Sequence, residues 1–297
     1  MRLLQFKQDD EVRLGLKTEA GIIDVKAAAV SLGLSAPAYM ESVIEGGAAA
    51  KAQLAALHTA ILSEANRPYF LDEESIQFAP VVNRPQKIIC VGLNYRKHAE
   101  ETKSEIPASP ILFNKFANAL SAHGDSVEIP LTSNEVDYEA ELAIIIGKTA
   151  KNIEEDDALD YVFGYSCAND LSARNLQRRT SQWMLGKSCD GFAPVGPYIV
   201  TSDEVVDPDN LHISCSVNGV VKQSSSTADM IFSCRTIISY ISKHMTLLPG
   251  DLILTGTPEG VVIGYPRDLR VFLQPGDVVT VAIEQLGELT TQMTNCN

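Results

Sequence analysis

Glu139 and Glu141 stand two apart at the head of an apolar run, Leu142-Ala143-Ile144-Ile145-Ile146-Gly147. The run is rich in β-branched residues and ends in Gly, which predicts a strand. Side chains on a strand alternate faces, so the two glutamates share one. Two like charges held together beside a core are costly unless a proton or a cation neutralises them. The pair reads as part of a divalent-cation site; the competing reading is an exposed polar start to the strand. Asp170 is the third candidate ligand. It follows the strand-like Phe163-Gly164-Tyr165-Ser166-Cys167-Ala168 and precedes a helix-like stretch to Gln177. At that junction its side chain either reaches a site or caps the helix. Glu, Glu and Asp are hard oxygen ligands, with no Cys or His among them to favour zinc. They suit Mg²⁺ or Mn²⁺, with positions left for water and substrate. The Asp-rich spacing of an EF-hand is absent.

His98 and Glu101 are three apart and share a face on a helical turn. A carboxylate beside an imidazole fixes its tautomer and raises its basicity, which suits activation of a water. Glu100 does not face His98 at its spacing. The bland alternative is that Arg96-Lys97-His98-Ala99-Glu100-Glu101 is a solvated helix. Lys187 lies in Leu185-Gly186-Lys187-Ser188-Cys189-Asp190-Gly191, where two flanking glycines predict a loop with close backbone approach. It is either a surface lysine or a fixed charge for an enolate or oxyanion. The phosphate-loop pattern fails, because Ser181 stands where its first glycine would be. Thr257, in Thr255-Gly256-Thr257-Pro258, is a candidate donor to a substrate carboxylate or part of an ordinary turn.

Five ordered blocks carry a resemblance from about Pro85 to near the C-terminus. They are Gly92-Leu93-Asn94-Tyr95-Arg96-Lys97-His98, Asp137-Tyr138-Glu139-Ala140-Glu141-Leu142, Asn169-Asp170-Leu171-Ser172-Ala173-Arg174, Gly186-Lys187-Ser188 and Thr255-Gly256-Thr257-Pro258-Glu259-Gly260. Together they resemble the fumarylacetoacetate hydrolase family, in its acylpyruvate hydrolase and oxaloacetate decarboxylase-like branch. The resemblance implies metal ligands at Glu139, Glu141 and Asp170, and a His98–Glu101 pair on a segment that closes over substrate. It implies a mixed β-sandwich roll with a small N-terminal domain, and a homodimer. The expected reaction is hydrolysis of an acylpyruvate-type 2,4-diketo acid. His98, oriented by Glu101, activates water, and a pyruvate enolate leaves, stabilised by the metal and Lys187. Arg174, Gln177 and Thr257 position the substrate. Oxaloacetate decarboxylation and isomerisation of an unsaturated 2-hydroxy dioate would use the same enolate. A non-catalytic metal-binding protein would need none of His98, Glu101 or Lys187.

The 297 residues carry 24 basic and 38 acidic side chains, a net charge of −14. That argues against nucleic acid or an anionic membrane surface as partner, and for a small anionic 2-keto acid drawn in by local positive charge. Arg174, Arg178, Arg179 and Lys187 could supply it, although Arg178 and Arg179 read as a solvated helix face. A carbohydrate-binding roll has little aromatic material, with Trp183 the one tryptophan. The six cysteines show neither Cys-x-x-Cys nor zinc spacing and read as reduced, mostly buried thiols. The N-terminus lacks a signal-peptide apolar region. These features together predict a cytoplasmic enzyme.

The elements that must position these residues fall in two parts, 1–75 and 76–297. Residues 2 to 25 predict short strands, and 37 to 65 an Ala-rich helical region. Pro68, Pro80 and Pro85 punctuate a connection. The rest is dominated by strands, with a hairpin at Asn218-Gly219 and a helix over Met230 to Lys243. The polar stretch Glu100 to Ser109 is a candidate lid. The fold class is α+β and β-rich.

Overall fold

The computed structural model describes residues 1–62 and 68–296. Its strands form a large mixed sheet, a five-stranded one and a two-stranded ribbon of Val136–Asp137 with Ser172–Ala173. The large sheet is built around Ala140–Ile146, which pairs antiparallel with Val162–Asn169 and with Leu252–Leu254. Ile88–Gly92 joins Leu252–Leu254 in parallel, and Ile111–Lys115 closes that side. On the other side Ala193–Thr201 follows Val162–Asn169, and the N-terminal strand Arg2–Gln8 pairs with it through Leu3↔Ile199. The first strands and the later ones therefore share one sheet.

Every residue of Ala140–Ile146 is buried, because both faces are covered. Leu142, Ile144 and Ile146 pack with Ile213, Val279, Val281, Leu289 and Met293 of the second sheet. Ala143 and Ile145 pack with Leu54, Leu57 and Ile61 of the helix Met40–Leu62 and with Leu3 and Ile199. A strand buried on both sides loses the apolar–polar alternation and reads as a continuous apolar run. Burying a side chain of this size contributes about 1.5–3 kcal/mol, so register here is strongly fixed. A one-residue slip would turn Glu141 from the site toward the second sheet.

The helical region expected over 37 to 65 is Met40–Leu62, broken at Gly47, whose φ is 51°; its residues 63 to 65 fall outside the described part. The helix expected over Met230 to Lys243 starts instead at Cys234, capped by Ser233, whose hydroxyl accepts from Thr236 N. The Asn218-Gly219 hairpin forms with both residues at positive φ, the geometry of a two-residue turn. Among the described residues, no helix is long and apolar enough to cross a membrane.

Candidate active site

Glu139 and Glu141 stand at the start of Ala140–Ile146, and Asp170 immediately follows Val162–Asn169. Ala140 pairs with Asn169, so the antiparallel register itself brings the three acids to one end of the sheet. Asn169 locks the junction: its Oδ1 accepts from Glu139 N at 3.0 Å, and Asp170 N donates to Glu139 O at 2.9 Å. Carboxylate oxygens of Glu139, Glu141 and Asp170 lie within 4.8 Å of one another, and all three residues are buried. Asp170 does not cap a helix; the next helix begins at Arg174, with Ala173 in the cap position.

Charge decides what this cluster can hold. Arg174 Nη2 donates to Glu139 Oε1 at 2.7 Å and Nε to Asp137 Oδ2 at 2.8 Å. Lys187 Nζ bridges Glu139 Oε2 at 2.5 Å and Asp170 Oδ2 at 2.7 Å. Lys115 Nζ binds the other Asp170 oxygen and donates to Leu171 O at 3.1 Å. Four buried carboxylates (Asp137, Glu139, Glu141, Asp170) thus face three buried cations. Among the described residues Glu141 has no ion-pair partner, and its one hydrogen bond is from Gly256 N at 2.8 Å. Burial pushes its carboxyl well above the usual value, and Asp170 and Glu139 push the same way. Burial would raise Glu139 too, but Arg174 and Lys187 outweigh it and hold that carboxyl low. An oxygen-only trio with one uncompensated charge fits a divalent cation such as Mg²⁺ or Mn²⁺.

Glu141→Gln follows as a stability test. A carboxyl raised by folding contributes stability that is full below its unfolded value of 4.5 and is lost as the pH rises through the folded value. In chelator, the variant should melt higher than wild type at neutral pH, with the difference shrinking toward pH 4. Added Mn²⁺ should raise the wild-type Tm more than the variant's. An identical wild-type–variant difference at both pH values would contradict this charge assignment.

The trio opens onto a cavity of about 230 Å³ lined by His98, Glu139, Glu141, Arg174, Gln177, Lys187 and Thr257. Seven of the nine residues singled out from sequence line this one space. Asp170 lies behind it, beneath Lys187. Glu101 lies beside His98, with Oε1 at 2.8 Å from Nδ1. The short helix Arg96–Glu101 puts the two on one face, with Nδ1 engaged by the carboxylate. Lys187 lies on a short helix, Met184–Lys187, not in a loop. The close approach around Gly186 is real: a Cβ there would stand 2.5 Å from Ala173 O and 2.7 Å from Gln177 Cα. Asp170 and Glu139 hold the Lys187 ammonium well protonated against the opposing effect of burial. Two of its three hydrogens are committed, leaving one for the cavity.

Arg174 also donates from Nη1 to Gln177 Oε1 at 3.1 Å, so the Gln177 amide N–H groups remain available. Thr257 Oγ1 accepts from Gln223 Nε2 at 2.8 Å, leaving its own hydrogen to donate. Arg178 is half exposed and bound to Glu135, yet it lines the cavity rather than a plain solvated face. Sequence reasoning missed Lys115, Gln223 and the aromatic wall of Phe113 and Trp183, which stack edge-on at 5.2 Å. Asp137 shares the 137, 139, 141 alternation of the two glutamates, which is the local signal for its place beside Arg174.

Residues 87–294 match the model of the fumarylacetoacetate hydrolase C-terminal domain. The chain belongs to the fumarylacetoacetate hydrolase family. A mitochondrial oxaloacetate tautomerase of Xenopus laevis is 44% identical over 296 residues, covering 98% of this chain and 89% of that protein. The fumarylacetoacetate hydrolase of Exiguobacterium antarcticum superposes with a TM-score of 0.83 at 34% identity, over all of both chains. So does the maleylpyruvate hydrolase of Sphingobium sp. SYK-6, solved with manganese(II) and pyruvate, at 0.79 and 32%. The fold is the α+β, β-rich fold of this family, and its relatives are enzymes. The expected cytoplasmic location does not stand, because the Xenopus relative, similar along nearly the whole chain, is a mitochondrial protein. Acidic charge and buried thiols do not select a compartment.

Proposed function

We propose that this protein interconverts the enol and keto forms of oxaloacetate at the Glu139–Glu141–Asp170 site. One observation carries the reading: a base, a fixed cation and two acids of the trio line a single small cavity, with the third acid directly behind it. The likeness to an oxaloacetate tautomerase over almost the whole chain supports the choice of substrate. When bound by Glu139, Glu141 and Asp170, a divalent cation would supply Lewis acidity toward the keto oxygen.

The chain's own side chains do the rest. Thr257 Oγ1–H and the Gln177 amide hold substrate carboxylate. His98 Nδ1–H donates to Glu101, so Nε2 is the basic nitrogen. It takes the C3 proton; the released pair forms the C2–C3 double bond, and the C2 oxygen gains the negative charge. Lys187 donates its remaining hydrogen bond to that oxygen as the charge appears. His98 then gives that one proton back to the enolate: at the C2 oxygen it yields the enol, at C3 the ketone. Phe113 and Trp183 wall the cavity and exclude bulk water.

A second reading, C–C hydrolysis of an acylpyruvate, is favoured by the His98–Glu101 pair, which equally suits activation of a water, and by the 32% likeness to a maleylpyruvate hydrolase. The test is the rate of ketonisation of enol oxaloacetate and of cleavage of acylpyruvates, with Mg²⁺ or Mn²⁺, for wild type and His98→Ala. Ketonisation above the metal-buffer background, slowed roughly a hundredfold or more by His98→Ala, is expected. Efficient acylpyruvate cleavage without accelerated ketonisation would replace this reading with the second.

A further inference from the structure

Glu101 is held from two sides. Oε1 meets His98 Nδ1 at 2.8 Å, and Oε2 accepts from Gly260 N at 2.9 Å. The helix Arg96–Glu101 is tied down separately at its N-terminal end. There Asp229 accepts from Lys97 N at 3.0 Å, and Arg96 donates to Met230 O at 3.0 Å. The Glu101 carboxylate therefore fastens the other end, and the imidazole with it, to the segment 260–264.

That segment is itself fixed from below. Tyr138 OH donates to Gly260 O at 3.0 Å, and Asp137 Oδ1 accepts from Val262 N at 2.9 Å. Asp137 is held in turn by Arg174, which holds Glu139. A continuous set of polar contacts runs from the acid trio to the base, and Glu101 is its last link.

Gly264 lies against this carboxylate. A Cβ there would stand 2.5 Å from Glu101 Cδ, 3.0 Å from Oε1 and closer still to Oε2; its three nearest neighbours are all Glu101 atoms. The φ of Gly264 is not in the left-handed region, so its backbone does not require glycine. Gly260 is a less clean probe, with φ at 99° and the Lys222 carbonyl in the way of any side chain. We propose that Gly264 is a positioning residue: the space its missing side chain leaves lets Glu101 reach the Gly260 N–H and His98 at once. The inference rests on the His98–Glu101 reading. A methyl at 264 would displace the carboxylate, free the imidazole to rotate and unfasten the helix end.

The test is a double-mutant cycle of Glu101→Ala and Gly264→Ala in the Mg²⁺-loaded protein, read by kcat and KM for enol oxaloacetate and by the ¹⁵N shifts of His98, which report its tautomer. Each single variant should lower kcat by about a hundredfold, the scale of a misplaced catalytic group, with little change in KM. Both should lose the fixed Nδ1–H tautomer. Gly264→Ala should have no further effect in the Glu101→Ala background, where the space is already vacant. That double variant also keeps the test open should Gly264→Ala alone fail to fold, since it should fold and match Glu101→Ala. Wild-type kcat in Gly264→Ala, or a further loss of kcat when Gly264→Ala is added to Glu101→Ala, would overturn the role of Gly264 while leaving the dyad standing. Wild-type kcat in Glu101→Ala would overturn the dyad reading and this inference with it.

Discussion

Asp170→Asn is expected to lower turnover by at least about a thousandfold and to weaken Mn²⁺ binding strongly. The substitution keeps the side-chain shape and removes one charge from an oxygen-only trio. A bound cation contributes several kcal/mol of charge stabilisation to such reactions, and each 1.36 kcal/mol is a factor of ten. Asp170 also balances Lys115 and Lys187, so its loss leaves two buried ammonium groups, Lys187 with Glu139 alone and Lys115 without its carboxylate. Their repulsion opposes a divalent cation in the same place. Calorimetric titration with Mn²⁺ beside steady-state kinetics would check both halves. Full wild-type activity in excess chelator, or Asp170→Asn turning over at the wild-type rate, would contradict the metal assignment.

Lys187→Met should produce two separable losses. The variant keeps most of the volume and removes an ammonium that bridges Glu139 and Asp170. Breaking a buried pair from one side costs about 3–5 kcal/mol, because the remaining charge stays buried. The chelated variant should therefore melt well below wild type, and Mn²⁺ should recover much of the difference by supplying positive charge to the same carboxylates. Turnover should not recover. A donor aimed at an oxygen that becomes negative only as the proton leaves acts on kcat, by roughly a hundredfold or more, with a smaller change in KM. Oxalate, a planar dianion resembling an enolate, should bind wild type well and the variant poorly. A raised KM at unchanged kcat would assign Lys187 to ground-state binding instead.

Much of the site was legible because local pattern and tertiary environment agree there. Glu139 and Glu141 announce themselves by alternation beside an apolar run, and His98 and Glu101 by helical spacing. The strand Ala140–Ile146 and the Asn218-Gly219 turn carry their signals within a few residues. Lys115 was illegible for the opposite reason: a lysine ending a strand looks the same whether it faces water or, as here, a buried Asp170. The pairing of Leu3 with Ile199 spans most of the chain and leaves no local trace, so the shared sheet could not be read ahead. The loop expected around Lys187 is a short helix, because packing of Gly186 against the Ala173–Gln177 backbone outweighs the loop preference of two glycines. Gly264 carried no signal at all; its importance lies in what its neighbour needs. The choice among ketonisation, hydrolysis and decarboxylation also leaves no mark in the motifs, because all three pass through the same charge on the same oxygen.

The most direct measurement is the stereochemistry of ketonisation. Enol oxaloacetate is ketonised in D₂O by the Mg²⁺-loaded protein, trapped at once by enzymatic reduction to malate, and read by proton couplings. Delivery of the deuteron from His98 Nε2 within the cavity reaches one face of C3 only. The wild type should give a single C3-deuterated epimer, and His98→Ala the near-equal mixture of the reaction in solution. An equal mixture from the wild type would show that the proton comes from solvent rather than from a fixed side chain, and would contradict the account.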